Sequence, residues 1–204
     1  MSDRCLIYKS SASKFVSDCW RLANAEEIKD APDSVEEARE YYGKWEVDND
    51  GGNLIRYSTH GGTVWGHRLS LVKTAGSCDK DQLLLIWSTY EKDLEGLKNS
   101  HVEMEIEIGS AIFKSTESKL DYFQPTLDNG VELSFKILII SLPFSLSEEF
   151  MLALANTDST EITFTGPSKF LDKLDIKSDS FGLDEFKGAQ DKARDLCNSI
   201  EEMS

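Results

Sequence analysis

Val102-Glu-Met-Glu-Ile-Glu-Ile108 alternates apolar and acidic residues without a break, which is the period of a strand with one face buried and the other wet. A parallel strand, covered on both faces, would read as continuously apolar, so the pattern predicts an antiparallel, half-solvated sheet. Glu161-Ile-Thr-Phe-Thr165 repeats the alternation, and the apolar run Leu83-Leu-Leu-Ile-Trp87 opens a strand to Tyr90 in the middle of the sheet. Arg68 to Thr74, Ser110 to Phe113 and Val131 to Leu142 are further strands, the last ended by Pro143, which cannot donate to a ladder. Trp45 to Tyr57 reads as a hairpin turning on its Asn/Asp/Gly cluster, and His60-Gly-Gly-Thr63 and Asp128-Asn-Gly130 mark further turns. Glu91 to Ser100 is a polar connection.

Helical spacing appears mainly toward the ends. Phe15, Val16, Cys19, Trp20, Leu22 and Ala23 predict an amphipathic helix from Ser11 to about Ile28, and Ser34-Val-Glu-Glu37 has the spacing of a capping box opening a second helix that stops at Gly43. Tyr41 and Tyr42 are expected to pack on the sheet. Ser145-Leu-Ser-Glu148 repeats the capping box before Phe150, Met151, Leu152, Leu154 and Ala155. Ser168 to Ser180 reads as a polar loop anchored by Phe170, Leu171, Leu174 and Ile176. From Leu183 to Met203, one stripe holds Phe186, Ala189, Ala193, Leu196, Cys197 and Ile200.

The fold class is therefore α+β and β-rich: an antiparallel sheet or sandwich with N-terminal helices and a C-terminal helix packed on it. Residues 1–204 are expected to form a single domain, with a helical segment over 1–43, the β region over 44–166 and the closing helix over 183–203.

Lys+Arg 22 against Asp+Glu 37 gives a net charge of -15. That field repels phosphate backbones and anionic lipids, so direct nucleic-acid binding is disfavoured, and the charge reads either as plain surface solvation or as a surface that docks on a basic protein partner. Glu103, Glu105 and Glu107 are the candidate partner-facing acids. Same-face residues recur about every 7 Å along a strand, whereas duplex DNA carries a charge every ~1.7 Å, so one row cannot imitate a duplex. Lys73, Lys114, Lys119 and Lys136 interleave positive charge and predict cross-strand Lys/Glu pairs.

Catalytic motifs are sparse. His60-Gly61-Gly62 has the glycines of an esterase oxyanion loop, yet the chain lacks a Gly-x-Ser-x-Gly elbow, so a turn is expected. Glu46, Asp48, Asp50 and Gly51 open like a calcium loop, but Tyr57 stands where the bidentate glutamate belongs. His60, His67 and His101 lack zinc-site spacing, although His60 and His67 could converge across a hairpin. No catalytic, cofactor or metal residue is assigned. A hydrolase whose site assembles only in space is the third function considered.

Cys5, Cys19, Cys78 and Cys197 allow three pairings as structural cysteines. With no apolar leader after Met1, the chain as written reads as cytoplasmic and its thiols as reduced. If Met1 replaces a removed signal peptide, the address is periplasmic and disulfides form, a Cys78 to Cys197 link contributing about 4 to 5 kcal/mol. No run approaches the length of a membrane span. The oligomeric state is open.

Ser180-Phe-Gly-Leu-Asp-Glu-Phe-Lys-Gly-Ala-Gln-Asp-Lys-Ala-Arg-Asp-Leu-Cys197 resembles the closing segment of small bacterial envelope proteins of the VasI type, associated with type VI secretion, and is similar to the invasion-associated locus B family. Cys5 and Cys19 beside Arg21-Leu22 resemble that group's opening cysteine pair, and Trp45-Glu-Val47 its first strand. The resemblance implies a non-enzymatic accessory or protein-binding role in the envelope. The alternative is an acidic phage or mobile-element inhibitor that blocks a basic nucleic-acid-binding partner.

Overall fold

The structure, a computed structural model, describes residues 43–49, 53–64, 66–91, 93–126 and 132–202. The two expected N-terminal helices, Cys5, Cys19 and the Asp128 to Gly130 turn lie outside the described residues.

Among the described residues nine strands form one sheet: β1 (Glu46–Asn49), β2 (Leu54–His60), β3 (Arg68–Thr74), β4 (Ser77–Thr89), β5 (His101–Ile108), β6 (Ala111–Phe123), β7 (Lys136–Ser145), β8 (Ser159–Gly166) and β9 (Ser178–Gly182). Their spatial order is β1-β2-β3-β4-β7-β6-β5-β8-β9, and every pairing is antiparallel. The sheet curls until its two ends approach. Gly61, just past β2, bridges to Phe181 of β9, and the Gly62 N–H donates to the Ser180 carbonyl at 2.8 Å.

Curling gives the sheet an inner face that one apolar cluster fills. Ile55, Tyr57, Leu69, Leu71, Leu83, Leu85 and Trp87 enter it from β2 to β4, Leu138 and Ile140 from β7, and Met104, Ile106, Ile162, Phe164 and Phe181 from the other side. β5 and β8 alternate buried and wet positions along their length, as the period of two requires. Leu84, Ile86, Phe123, Ile137 and Ile139 form a second cluster on the opposite face of β4, β7 and β6.

Three helices complete the described chain: α1 (Glu148–Ala155), α2 (Ser168–Leu171) and α3 (Phe186–Glu202). Ser147 caps α1 by accepting from Phe150 N, two residues later than the first serine of the expected capping box. α3 lies on the inner face, where Phe186, Ala189, Ala193 and Cys197 join the core. Its Phe186 ring sits 5.0 Å from Trp45 and 6.1 Å from Tyr57. A fully buried side chain of this size is worth about 1.5 to 3 kcal/mol, so α3 is held chiefly by what it covers.

Several elements differ from expectation: β4 starts at Ser77, six residues before the expected Leu83, and β7 starts at Lys136, not Val131. β6 continues ten residues beyond Phe113, to Phe123; a β-bulge near Thr116 and Glu117 exposes two successive residues there and erases the alternation. β7 passes through Pro143 to Ser145. Its pairing with β6 ends at Ser141, so Pro143 needs no donor on that side. Within the expected loop from Ser168 to Ser180, α2 forms and β9 begins. β9 goes unnoticed by hydropathy because one of its inward positions is an aspartate. The polar connection 91–100 also buries Leu94 and Leu97.

Candidate functional site

The concentration of polar chemistry lies where the sheet ends meet. Asp179, Phe181 and Gly182 are the buried positions of β9, and the Asp179 carboxylate lies inside the seam. It accepts from His67 Nδ1 at 2.8 Å, from Thr63 N at 2.7 Å and from Val64 N at 3.1 Å. One side chain therefore fastens the loop between β2 and β3 to β9. Gly61 leaves room for this. A Cβ there would stand 2.4 Å from Asp179 Oδ2 and 2.8 Å from the Val64 carbonyl.

Burial by itself would raise the Asp179 pKa, but the hydrogen bonds from His67 and Thr63 and the charge of His67 outweigh it, leaving the carboxyl below its ordinary value. The His67 ring stacks on Trp87 with centroids 3.8 Å apart. Among the described residues its Nε2 is buried without a hydrogen-bond partner. An Asp–His pair in this orientation is two-thirds of a nucleophilic triad. Among the described residues no hydroxyl or thiol meets Nε2, however, and the two side chains are 1% and 0% exposed. What the arrangement does chemically is clamp.

A second buried cluster lies beneath α3. Lys73 Nζ reaches Asp81 Oδ1 at 2.9 Å and donates to the Cys78 carbonyl at 3.1 Å, while Tyr57 Oη donates to Asp81 Oδ1 at 2.7 Å. Burial first, and then the Asp81 charge, push the Tyr57 hydroxyl well above its ordinary pKa, so it stays a donor. Beside this cluster Cys78 and Cys197 are joined in a disulfide, with Cα atoms 5.7 Å apart and a sequence separation of 119. The Glu201 carboxylate comes within 3.0 Å of Cys78 Sγ. Cys78, Cys197 and Glu201 together have the spacing of a metal-ligand group, but sulfurs bonded to each other offer no thiolate.

Glu103, Glu105 and Glu107 all stand on the outer face of β5. Glu105 pairs with Lys114 at 2.5 Å, a cross-strand Lys/Glu pair of the expected kind, and Glu107 lies directly opposite Glu161 of β8. Lys73 does not belong to the interleaved lysines, because it points inward. Lys136 stands over the Tyr122 ring at 5.5 Å.

His60 and His67 do not converge: His60 meets Arg68 at 2.8 Å on the face opposite the core, whereas His67 points into it. Glu46 and Asp48 are engaged by Arg68 at 3.2 Å and Arg56 at 2.6 Å. Tyr57 is core, and Asp50 and Gly51 lie outside the described residues. The Gly61 and Gly62 amides are spent on the His67 and Ser180 carbonyls, so the glycine pair is a turn and not an oxyanion hole.

Asp179, His67, Lys73 and Asp81 escaped the sequence patterns. The signal for Lys73 was there in principle: a lysine at the inward phase of Leu69-x-Leu71-x-Lys73 requires a buried partner.

Among the described residues, no helix is long and apolar enough to cross a membrane. No protein-family model matches the chain, and no curated protein matches it. Among solved structures the chain is similar to invasion associated protein B from Bartonella henselae, at 14% identity over 76% of this chain and 94% of that one, with a TM-score of 0.41. That likeness is one of fold alone.

Proposed function

We propose that this chain is a non-enzymatic accessory or protein-binding domain that matures in an oxidising compartment, the bacterial envelope being the address that the sequence resemblance suggests. The observation that carries the reading is the Cys78–Cys197 disulfide. Structural disulfides persist where thiols are not kept reduced, and this one fastens the closing helix to the middle of the sheet. A binding role in preference to catalysis is supported by the enclosure of the Asp179–His67 pair. The chemistry that could turn over a substrate is spent on holding the seam.

Thiol titration of the denatured protein, with and without prior reduction, tests this. The reading expects Cys78 and Cys197 to become reactive only after reduction, in protein isolated from its native host. Both thiols free in that material would sink it.

A second reading, an acidic domain docking on a basic partner, is favoured by one observation. Glu107 faces Glu161 across β5 and β8, a like-charge juxtaposition that costs stability and that a cationic partner would relieve. Binding to a basic protein that survives high salt unchanged would count against it.

A further inference from the structure

β3 and β4 pair out of step around one buried ion pair. Val72 stands opposite Gln82 and Thr74 opposite Ser77, so Lys73 alone faces Cys78, Asp79, Lys80 and Asp81 across the irregularity. Lys73 and Asp81 both turn inward there, at 1% and 4% exposure, toward the core cluster that holds Leu71 and Leu83. Lys73 Nζ stands 2.9 Å from Asp81 Oδ1 and 3.0 Å from Oδ2. A nitrogen that close to both oxygens is no more than about 3.3 Å from the carbon they share, which is the separation of a near-attack pair.

We propose that Lys73 and Asp81 are the site of an autocatalytic modification, in which the lysine amine condenses with the aspartate carboxyl to leave an internal amide cross-link between β3 and β4. Both polar atoms of that product already have their partners. The amide nitrogen keeps one hydrogen, and the Cys78 carbonyl accepts from Nζ at 3.1 Å. The amide oxygen is Oδ1, to which Tyr57 Oη donates at 2.7 Å. Two ions held out of water are costly, and a neutral, hydrogen-bonded amide relieves that cost.

No added reagent is required. A proton passes from the ammonium to Oδ2, and the freed lone pair on nitrogen attacks Cγ. Negative charge then develops on Oδ1, where the Tyr57 hydroxyl already points. Burial and the Asp81 charge keep that hydroxyl protonated, so it enters the reaction as a donor. A second proton moves from nitrogen to Oδ2, the Cγ–Oδ2 bond breaks with its electron pair on oxygen, and one water departs. The Nζ–Cγ bond remains, and nothing is oxidised or reduced. The bond therefore forms in either redox environment, and the proposal is independent of the accessory reading.

Mass spectrometry of the full chain, folded and then denatured and reduced, tests it. The expected mass is below that of the sequence by one water. Trypsin should no longer cut after Lys73, and fragment spectra should show its side chain joined to Asp81. Tyr57→Phe keeps the ring but removes the donor, and in freshly made protein it should slow the loss of water about a hundredfold. The unmodified chain decides the matter even if that variant misfolds. A folded chain that stays at full mass overturns the proposal. So does water lost from another position, or a folded Tyr57→Phe chain that reacts as fast as the unmodified one.

Discussion

The Asp179 carboxylate meets the His67 imidazole at 2.8 Å across 112 residues of sequence, and the same carboxylate holds two amides of the loop between β2 and β3. Closure of the curled sheet is thus concentrated on one acid. Asp179→Ala should cost about 3 kcal/mol, because it strands a buried histidine and two amides together. Urea denaturation followed by tryptophan fluorescence measures it, with Trp87 stacked on His67 as an internal reporter.

The pH dependence follows from the direction of the Asp179 shift. Its folded pKa lies below the unfolded value, so the group's contribution is present above about pH 4 and lost as pH falls through the folded pKa. Asp179→Asn removes that linkage. The stability gap between the two proteins should therefore narrow as pH drops below about 4, read from urea midpoints at successive pH values.

Lys73 and Asp81 should behave as a pair. Removing either charge alone leaves the other buried, at about 3 to 5 kcal/mol, whereas Lys73→Met combined with Asp81→Leu should recover most of that loss. What remains is the Tyr57 hydroxyl left without an acceptor, about 1 kcal/mol. A double-mutant cycle in denaturant gives the coupling directly, and additive single effects would show that the pair is not acting as one.

Reduction of the disulfide should lower stability by about 4 to 5 kcal/mol, given the length of chain it closes. For a domain of this size that corresponds to a Tm lower by roughly 10 °C or more. Hydrogen exchange should show the amides of α3 opening first, and calorimetry with and without reductant gives the shift in Tm.

On the outer face, Glu161→Lys should stabilise the fold by about 0.2 to 1 kcal/mol by replacing repulsion of Glu107 with attraction. Because both residues are wet, the gain should shrink at high salt. A gain that persists there would place its origin elsewhere.

Regular alternation made β5 and β8 legible, because their wet faces are polar and their buried faces apolar throughout. Pattern failed where a charge is buried. Asp179 occupies an inward position of β9 and Lys73 one of β3, and hydropathy counts both as solvent-facing. It failed again in β6, where the bulge near Thr116 and Glu117 turns consecutive residues outward. The seam was out of reach for a further reason: Gly61, His67 and Asp179 come together only through the curl of the whole sheet, which no local spacing encodes.

α3 closes the core over the first strands, since Phe186 is the ring that meets both Trp45 and Tyr57. As the chain leaves the ribosome, those two aromatics emerge well over a hundred residues before the one that shelters them. Until the last helix has been made, the sheet's first strands present an unfinished apolar surface. Packing of the first strands' aromatics therefore waits on α3, so early intermediates of this domain should expose Trp45 and Tyr57 even where the sheet has already formed.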